Sequence, residues 1–204
     1  MRIESFEVTP FYVNCYVVSD QGEAIIIDPG DYTARVREAV SGLTVRMIVN
    51  THGHCDHCGG NGAAVADTGA PLAIHEGDRP LLQAIEAQGQ MFGLRLAPSP
   101  EADRYLTEGD VIEFGNARLT VRHAPGHSLG HIVLVGEGVV FAGDVLFSGS
   151  IGRTDLPGGN HAQLMDSIRA KLLTLPDETV VYSGHGPSTT IGAERRTNPF
   201  LVDL

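Results

Sequence analysis

Four side chains able to hold a metal ion stand within six residues, in Thr51-His52-Gly53-His54-Cys55-Asp56-His57. Imidazole nitrogen mixed with carboxylate oxygen suits zinc, iron or manganese. A closed structural zinc site would more often be rich in cysteine. In an extended segment, side chains at i, i+2 and i+4 project to one side. His52, His54 and Asp56 are therefore expected to face one cavity, with a turn after His54 bringing His57 round to it. Gly53, Gly59 and Gly60 permit the tight backbone this needs. Three more candidates each follow a strand-like run and sit beside a glycine: His127 in Pro125-Gly126-His127, Asp144 in Gly143-Asp144, and His185 in Ser183-Gly184-His185-Gly186. A glycine there lets the main chain approach an ion closely. Seven ligands are too many for one tetrahedral ion and about right for two. A carboxylate such as Asp144 can bridge a pair, because its two oxygens can bind different ions.

These groups must be aimed by a scaffold. Strand patterns are expected over 3–8, 11–18, 24–27, 47–49, 118–123, 132–135, 139–142 and 180–182. The run 24–27 ends at Asp28-Pro29-Gly30, a turn signal. Helical patterns cover 33–40, 61–67 with Asn61 as N-cap, 79–87, and the stretch in which Leu164, Met165, Ile168 and Leu172 share a face. Residues 88–104, with Pro98 and Pro100, read as a long connection able to lie over a site. The mixture predicts a layered α/β architecture with helices covering sheets, and the candidate ligands on loops just beyond strand ends. No repeat or linker interrupts it, so one domain spanning 1–204 is expected.

Composition narrows the partners. Fourteen basic against 25 acidic residues give a net charge of −11, which repels phosphate backbones and argues against nucleic acid. No run approaches the ~20 apolar residues of a membrane span. The N-terminus carries acidic residues where a secretory signal needs an apolar stretch. Three cysteines, Cys15, Cys55 and Cys58, make no disulfide framework. A cytoplasmic protein is expected. Cys55 and Cys58 form a C-x-x-C interleaved with better ligands and are assigned to packing. His75, His123, His131 and His161 fall outside the ligand pattern and read as structural or surface residues. Gly59-Gly60-Asn61-Gly62 lacks the Gly-Lys-Ser/Thr of a phosphate loop. Asp28 reads equally as a hydrogen-bonding support for the ligand loop and as a turn residue.

The segment from Thr51 to His57 resembles the T-H-x-H-x-D-H signature of metallo-β-lactamase-fold proteins, and His127, Asp144 and His185 follow in that family's order. The resemblance extends from Asp28-Pro29-Gly30 to Asn198-Pro199-Phe200. It implies a four-layer αββα sandwich with the metals at one edge of two packed sheets. It further implies His52, His54 and His127 on one metal, Asp56, His57 and His185 on the other, and Asp144 between them. Pro125-Gly126-His127-Ser128-Leu129-Gly130-His131, the segment 143–147, Gly149 to Asp155 and Gly184 to Thr190 are similar to short glyoxalase II-like hydrolases, without the additional C-terminal glutathione-binding region of the full-length enzymes. The resemblance thus implies a metal-dependent hydrolase of small-molecule thioesters of the S-lactoylglutathione type. Two divalent ions would serve it, zinc first, with iron or manganese as alternatives, and Asp56 and Asp144 would be catalytic.

Arg153 has the planar fork to grip a substrate carboxylate, or pairs locally with Asp155. Two rival readings remain. One is a sulfur dioxygenase acting on glutathione persulfide, with a single iron on His52, His127 and Asp144. The other is a non-catalytic metal-binding protein on the same scaffold.

Overall fold

A computed structural model describes residues 1–202; the last two residues of the expected 1–204 domain lie outside the described residues. The first half runs β1 (Arg2–Val8), β2 (Val13–Asp20), β3 (Glu23–Ile27), α1 (Ala34–Ala39), β4 (Thr44–Val49), α2 (Cys55–Cys58), α3 (Asn61–Thr68), β5 (Leu72–Ile74), α4 (Arg79–Gln83), α5 (Ile85–Met91) and β6 (Arg104–Tyr105). The second half runs β7 (Val111–Phe114), β8 (Ala117–His123), β9 (Ile132–Gly136), β10 (Val139–Gly143), β11 (Leu146–Phe147), β12 (Ser150–Ile151), α6 (His161–Ser167), β13 (Val180–Ser183), β14 (Thr189–Thr190) and α7 (Ile191–Thr197).

The strands form two six-stranded sheets, ordered β1-β2-β3-β4-β5-β6 and β14-β13-β10-β9-β8-β7. Side chains alternate across a strand, and this alternation sorts the core into layers. Cys15, Val17 and Ile26 join Val36, Ala64 and Leu82 beneath the helices of the first half. Their neighbours Tyr16, Val18, Ile25 and Ile27 face the other way and meet Leu119, Val121, Leu134 and Phe141 between the sheets. Val133, Val140 and Val181 then pack on Leu164, Ile168 and Ile191 outside the second sheet. The order is helices, sheet, sheet, helices, as the αββα expectation requires. Ala24 to Ile27 is apolar throughout because both its faces are buried. Among the described residues no helix is long and apolar enough to cross a membrane.

Several local expectations are corrected. The helix over 79–87 is two pieces, α4 and α5, separated at Ala84 (φ −98°, ψ 14°) and continuing to Met91, so the connection begins at Phe92. Asn61 is the first helical residue of α3 rather than its cap, because its side chain pairs with Asn50 and Ser99. Thr33, by contrast, caps α1 through its hydroxyl. Val180–Ser183 is followed by one more strand, β14, and by α7, neither of which was expected.

Candidate metal centre

β4 runs parallel to β3, and β10 parallel to β13, so their C-terminal ends lie together at one edge of the sandwich. β4 delivers the chain to His52 and β10 to Asp144, while β13 leads to His185 and the turn after β8 carries His127. The two sheets are stitched at this edge: Asn14 N–H donates to the Gly184 carbonyl at 2.7 Å, and Tyr16 Oη donates to the Ser183 carbonyl at 2.6 Å. Gly184 has no space for a side chain, since a Cβ would collide with Asp144 Oδ1 and lie 2.8 Å from the His57 ring.

All seven sequence-predicted ligands converge here. One ligand atom from each of His52, His54 and His127 lies within 4.8 Å of the others, and the same holds for Asp56, His57 and His185 and for His52, His57 and Asp144. Asp144 stands between the groups: Oδ1 is 3.4 Å from His57 Nε2, and Oδ2 is 3.6 Å from both His127 Nε2 and His185 Nε2. His54 Nδ1 approaches His127 Nε2 to 2.9 Å, a separation that a proton on one ring, or a cation shared by both, satisfies.

The approach of Asp56 differs from the extended-strand expectation. The chain is extended only through His54 (φ −73°, ψ 147°), and α2 begins at Cys55. Asp56 and His57 reach the site from successive positions of one helical turn, not by strand alternation.

Three of the histidines are aimed by their other nitrogen. His127 Nδ1 donates to the Arg153 carbonyl at 2.8 Å, and His185 Nδ1 to the Phe11 carbonyl at 3.0 Å. His127 therefore presents Nε2 inward as a lone pair, while His185 turns Nε2 toward Asp56 and Asp144, where a cation would replace its proton. Asp28 does more. Its Oδ1 accepts from Thr51 N–H at 2.7 Å, and its Oδ2 accepts from Thr51 Oγ1 at 2.6 Å and from His57 Nδ1 at 3.0 Å. Asp28 also sits at φ +52°, so it is turn residue and ligand-loop support at once.

Burial and the neighbouring imidazoles push the His52 pKa well down and that of His54 down to about 4, so both are neutral near pH 7. Burial would push His57 down too, but Asp144, Asp56 and Asp28 outweigh it and raise it to about 10. His185 is raised against the same burial by its bond to Asp56 and the charge of Asp144. Burial opposes ionisation of Asp56, yet His57 and His185 hold it well below the usual carboxylate range.

His52 Nε2, His57 Nε2 and Asp144 Oδ1 are buried without a hydrogen-bond partner among the described residues. Three such atoms in one place are costly unless something binds them. A divalent cation satisfies a donor set of this kind, so the residues fit a metal.

Residues 8–185 match the metallo-beta-lactamase superfamily. The chain belongs to that superfamily. Hydroxyacylglutathione hydrolase GloC from Haemophilus influenzae is 39% identical over 208 residues, covering 98% of each chain. The crystal structure of the BLEG-1 B3 metallo-beta-lactamase superposes with a TM-score of 0.91 at 38% identity, over 98% of this chain and all of that one. TTHA1623 in a di-iron-bound form gives 0.89 at 39% identity, over 97% and 100%. The chain is thus a metallo-hydrolase by family, with a His/Asp cluster able to bind metal.

Two supports of this superfamily site carried no local sequence signal. Asp78, fully buried, accepts from Gly53 N–H at 2.9 Å, Ser128 Oγ at 2.6 Å and Gly130 N–H at 2.6 Å, clamping the His52–His54 and His127–His131 loops together. Gln88 accepts from Cys55 N–H at 3.1 Å and donates to the Gly53 carbonyl at 3.1 Å. His131, read as structural, is buried and accepts from Asp144 N–H at 3.0 Å. Cys55 and Cys58 are free, buried thiols, consistent with packing. Arg153 forms a bidentate pair with Asp155 at 2.7 and 2.8 Å while bordering the cleft.

Asp28→Asn is expected to weaken metal binding about 10–100-fold, the usual cost of losing a partner behind a metal-ligating histidine. Competition with a chelating dye reads this directly, and an unchanged affinity would show that Asp28 serves only the turn.

Proposed function

We propose that this protein hydrolyses small-molecule thioesters of the S-lactoylglutathione type at a two-cation centre. The observation that carries the reading is that Asp144 reaches both ligand groups, with its oxygens 3.6 Å from His127 Nε2 of the first and 3.4 and 3.6 Å from His57 and His185 Nε2 of the second. His52, His54 and His127 would hold one ion, Asp56, His57 and His185 the second, and Asp144 would join them. Divalent ions bound there, zinc first with iron or manganese as alternatives, would lower the pKa of water from 15.7 to roughly 7 and polarise the acyl carbonyl.

The protein's own groups supply the rest. Asp56, ionised and 19% exposed in its side chain, accepts a hydrogen bond from the attacking water and fixes its direction. His52 and His54, being neutral, can each give a lone pair to a cation without losing a net charge. Water oxygen bonds to the acyl carbon, the carbon–sulfur bond breaks, and the products are a carboxylic acid and a thiol. A thiol of pKa ~8.5 departs as thiolate without a dedicated acid. An amide's amine would need one.

The single-iron dioxygenase reading would use His52, His127 and Asp144 and leave the Asp56–His57–His185 group without an ion to hold. Metal analysis combined with assays on S-lactoylglutathione, a β-lactam and glutathione persulfide tests the proposal. Two cations per chain with thioester turnover are expected. One iron per chain with oxygen uptake on persulfide would overturn it, and metal binding with no turnover of any of the three would favour a non-catalytic role.

A further inference from the structure

The cleft over the centre, about 330 Å³ in volume, has an ionic floor and apolar walls. His54, Asp56, His127, Asp144 and His185 form the floor. The walls are Phe11 from the turn before β2, Leu81 from α4, Met91 and Phe92 at the end of α5, and Leu156 and Pro157 from the loop before α6.

Met91 and Phe92 are 80% and 52% exposed, so they do little for the core. Apolar side chains held in water at the mouth of a cleft mark a surface that gains from being covered. Phe92 meets Phe11 edge to face, centroids 5.2 Å apart at 76°, which fixes its ring beside the opening. Among the described residues Arg153 is the one lysine or arginine lining the cleft, and Asp155 already holds its Nε and Nη2 edge. Glutathione brings two carboxylates and an ammonium group, and these walls offer it little beyond apolar contact.

We infer that the cleft selects thioesters carrying an apolar arm, aliphatic or aromatic, beside the scissile carbon–sulfur bond, with Met91 and Phe92 as specificity-determining residues. This rests on the thioesterase reading for its chemistry and on the walls for its selectivity. An apolar arm covers the wall side chains while the carbonyl reaches the floor, so the two surfaces serve two ends of one molecule.

The test compares three thioesters on the metal-loaded protein: S-lactoyl-N-acetylcysteamine as reference, S-phenylacetyl-N-acetylcysteamine for an apolar acyl arm, and the lactoyl thioester of benzyl mercaptan for an apolar thiol arm. At least one apolar compound is expected to exceed the reference in kcat/KM by about tenfold, and Phe92→Ala or Met91→Ser to reduce that ratio by a similar factor. Which compound responds identifies the end of the substrate that meets the wall. A reference turned over equally well, or a ratio unchanged in both variants, overturns the inference. If no thioester is hydrolysed the thioesterase reading fails, and calorimetry with the non-hydrolysable thioether analogue of the phenylacetyl compound decides the cleft separately. Binding weakened about tenfold in Phe92→Ala upholds the apolar selectivity, and equal binding overturns it.

Discussion

Asp144→Asn is expected to lower kcat/KM for thioester hydrolysis by about 10³-fold, on the order of 4 kcal/mol in the barrier. The substitution keeps shape but replaces two acceptor oxygens with one acceptor and one two-proton donor. Asp144 is buried, with histidine nitrogens at 3.4–3.6 Å on both of its oxygens. Whichever way the amide turns, it directs protons at one histidine group whose lone pairs the cations require. The cation count per chain should therefore fall together with the rate. A second readout separates this from general damage. Metal that binds only the folded chain raises its stability by mass action, so the rise in Tm on metal loading should shrink in Asp144→Asn. Loss of the Asp144 charge beside His57 can also move the metal-free Tm, so the difference between loaded and metal-free Tm, not either alone, is the measure. A variant with wild-type turnover and a full metal complement would remove Asp144 from the centre.

The ligands were legible in sequence because each announces itself locally. Asp144 and His185 come directly off strand ends beside glycines, and the four from His52 to His57 are nearly contiguous. The mix of strand and helix patterns made a layered α/β fold legible, but the four-layer order came from the family resemblance, because β2 and β9 are apolar on both faces and show no alternation. What escaped was built by distance. Asp78 serves Gly53, 25 residues away, and Gly130, 52 residues away, and nothing in the local string Glu76-Gly77-Asp78 marks a buried triple acceptor. Asn61 had the residue type of an N-cap, but its side chain is drawn off by Asn50 and Ser99 from elsewhere in the fold. The two-residue strands β6, β11, β12 and β14 are too short to show any period. The Arg153–Asp155 pair, separated by two residues, was by contrast visible as an alternative from the start.

The two ligand groups should bind metal with different pH dependence. His57 is raised from 6.5 to about 10 without metal, so below that pH a cation entering the Asp56–His57–His185 group must displace its proton. Affinity there should rise about tenfold per pH unit between pH 6.5 and 8.5, since one proton is released for each ion bound. His185, also raised, adds to the slope. His52 and His54 are already neutral in this range, so ions joining them release no proton from either, and that step should be nearly flat. Stability of the metal-free chain carries the same signs. A folded pKa raised above its unfolded value stabilises fully below the unfolded pKa, so the His57 contribution is present below about 6.5 and lost as pH climbs to about 10. His52 and His54, with folded values depressed, act oppositely: below pH 6.5 the unfolded chain takes up more protons, and stability falls with pH toward about 4 for His54. The metal-free protein should thus be most stable near pH 6.5, and metal should shift that optimum upward by removing the His57 proton. Calorimetric metal titrations in buffers of differing ionisation enthalpy count the protons directly. Equal proton release for both binding steps would mean that the carboxylates do not hold a proton on His57, and the division into two unlike groups would be lost.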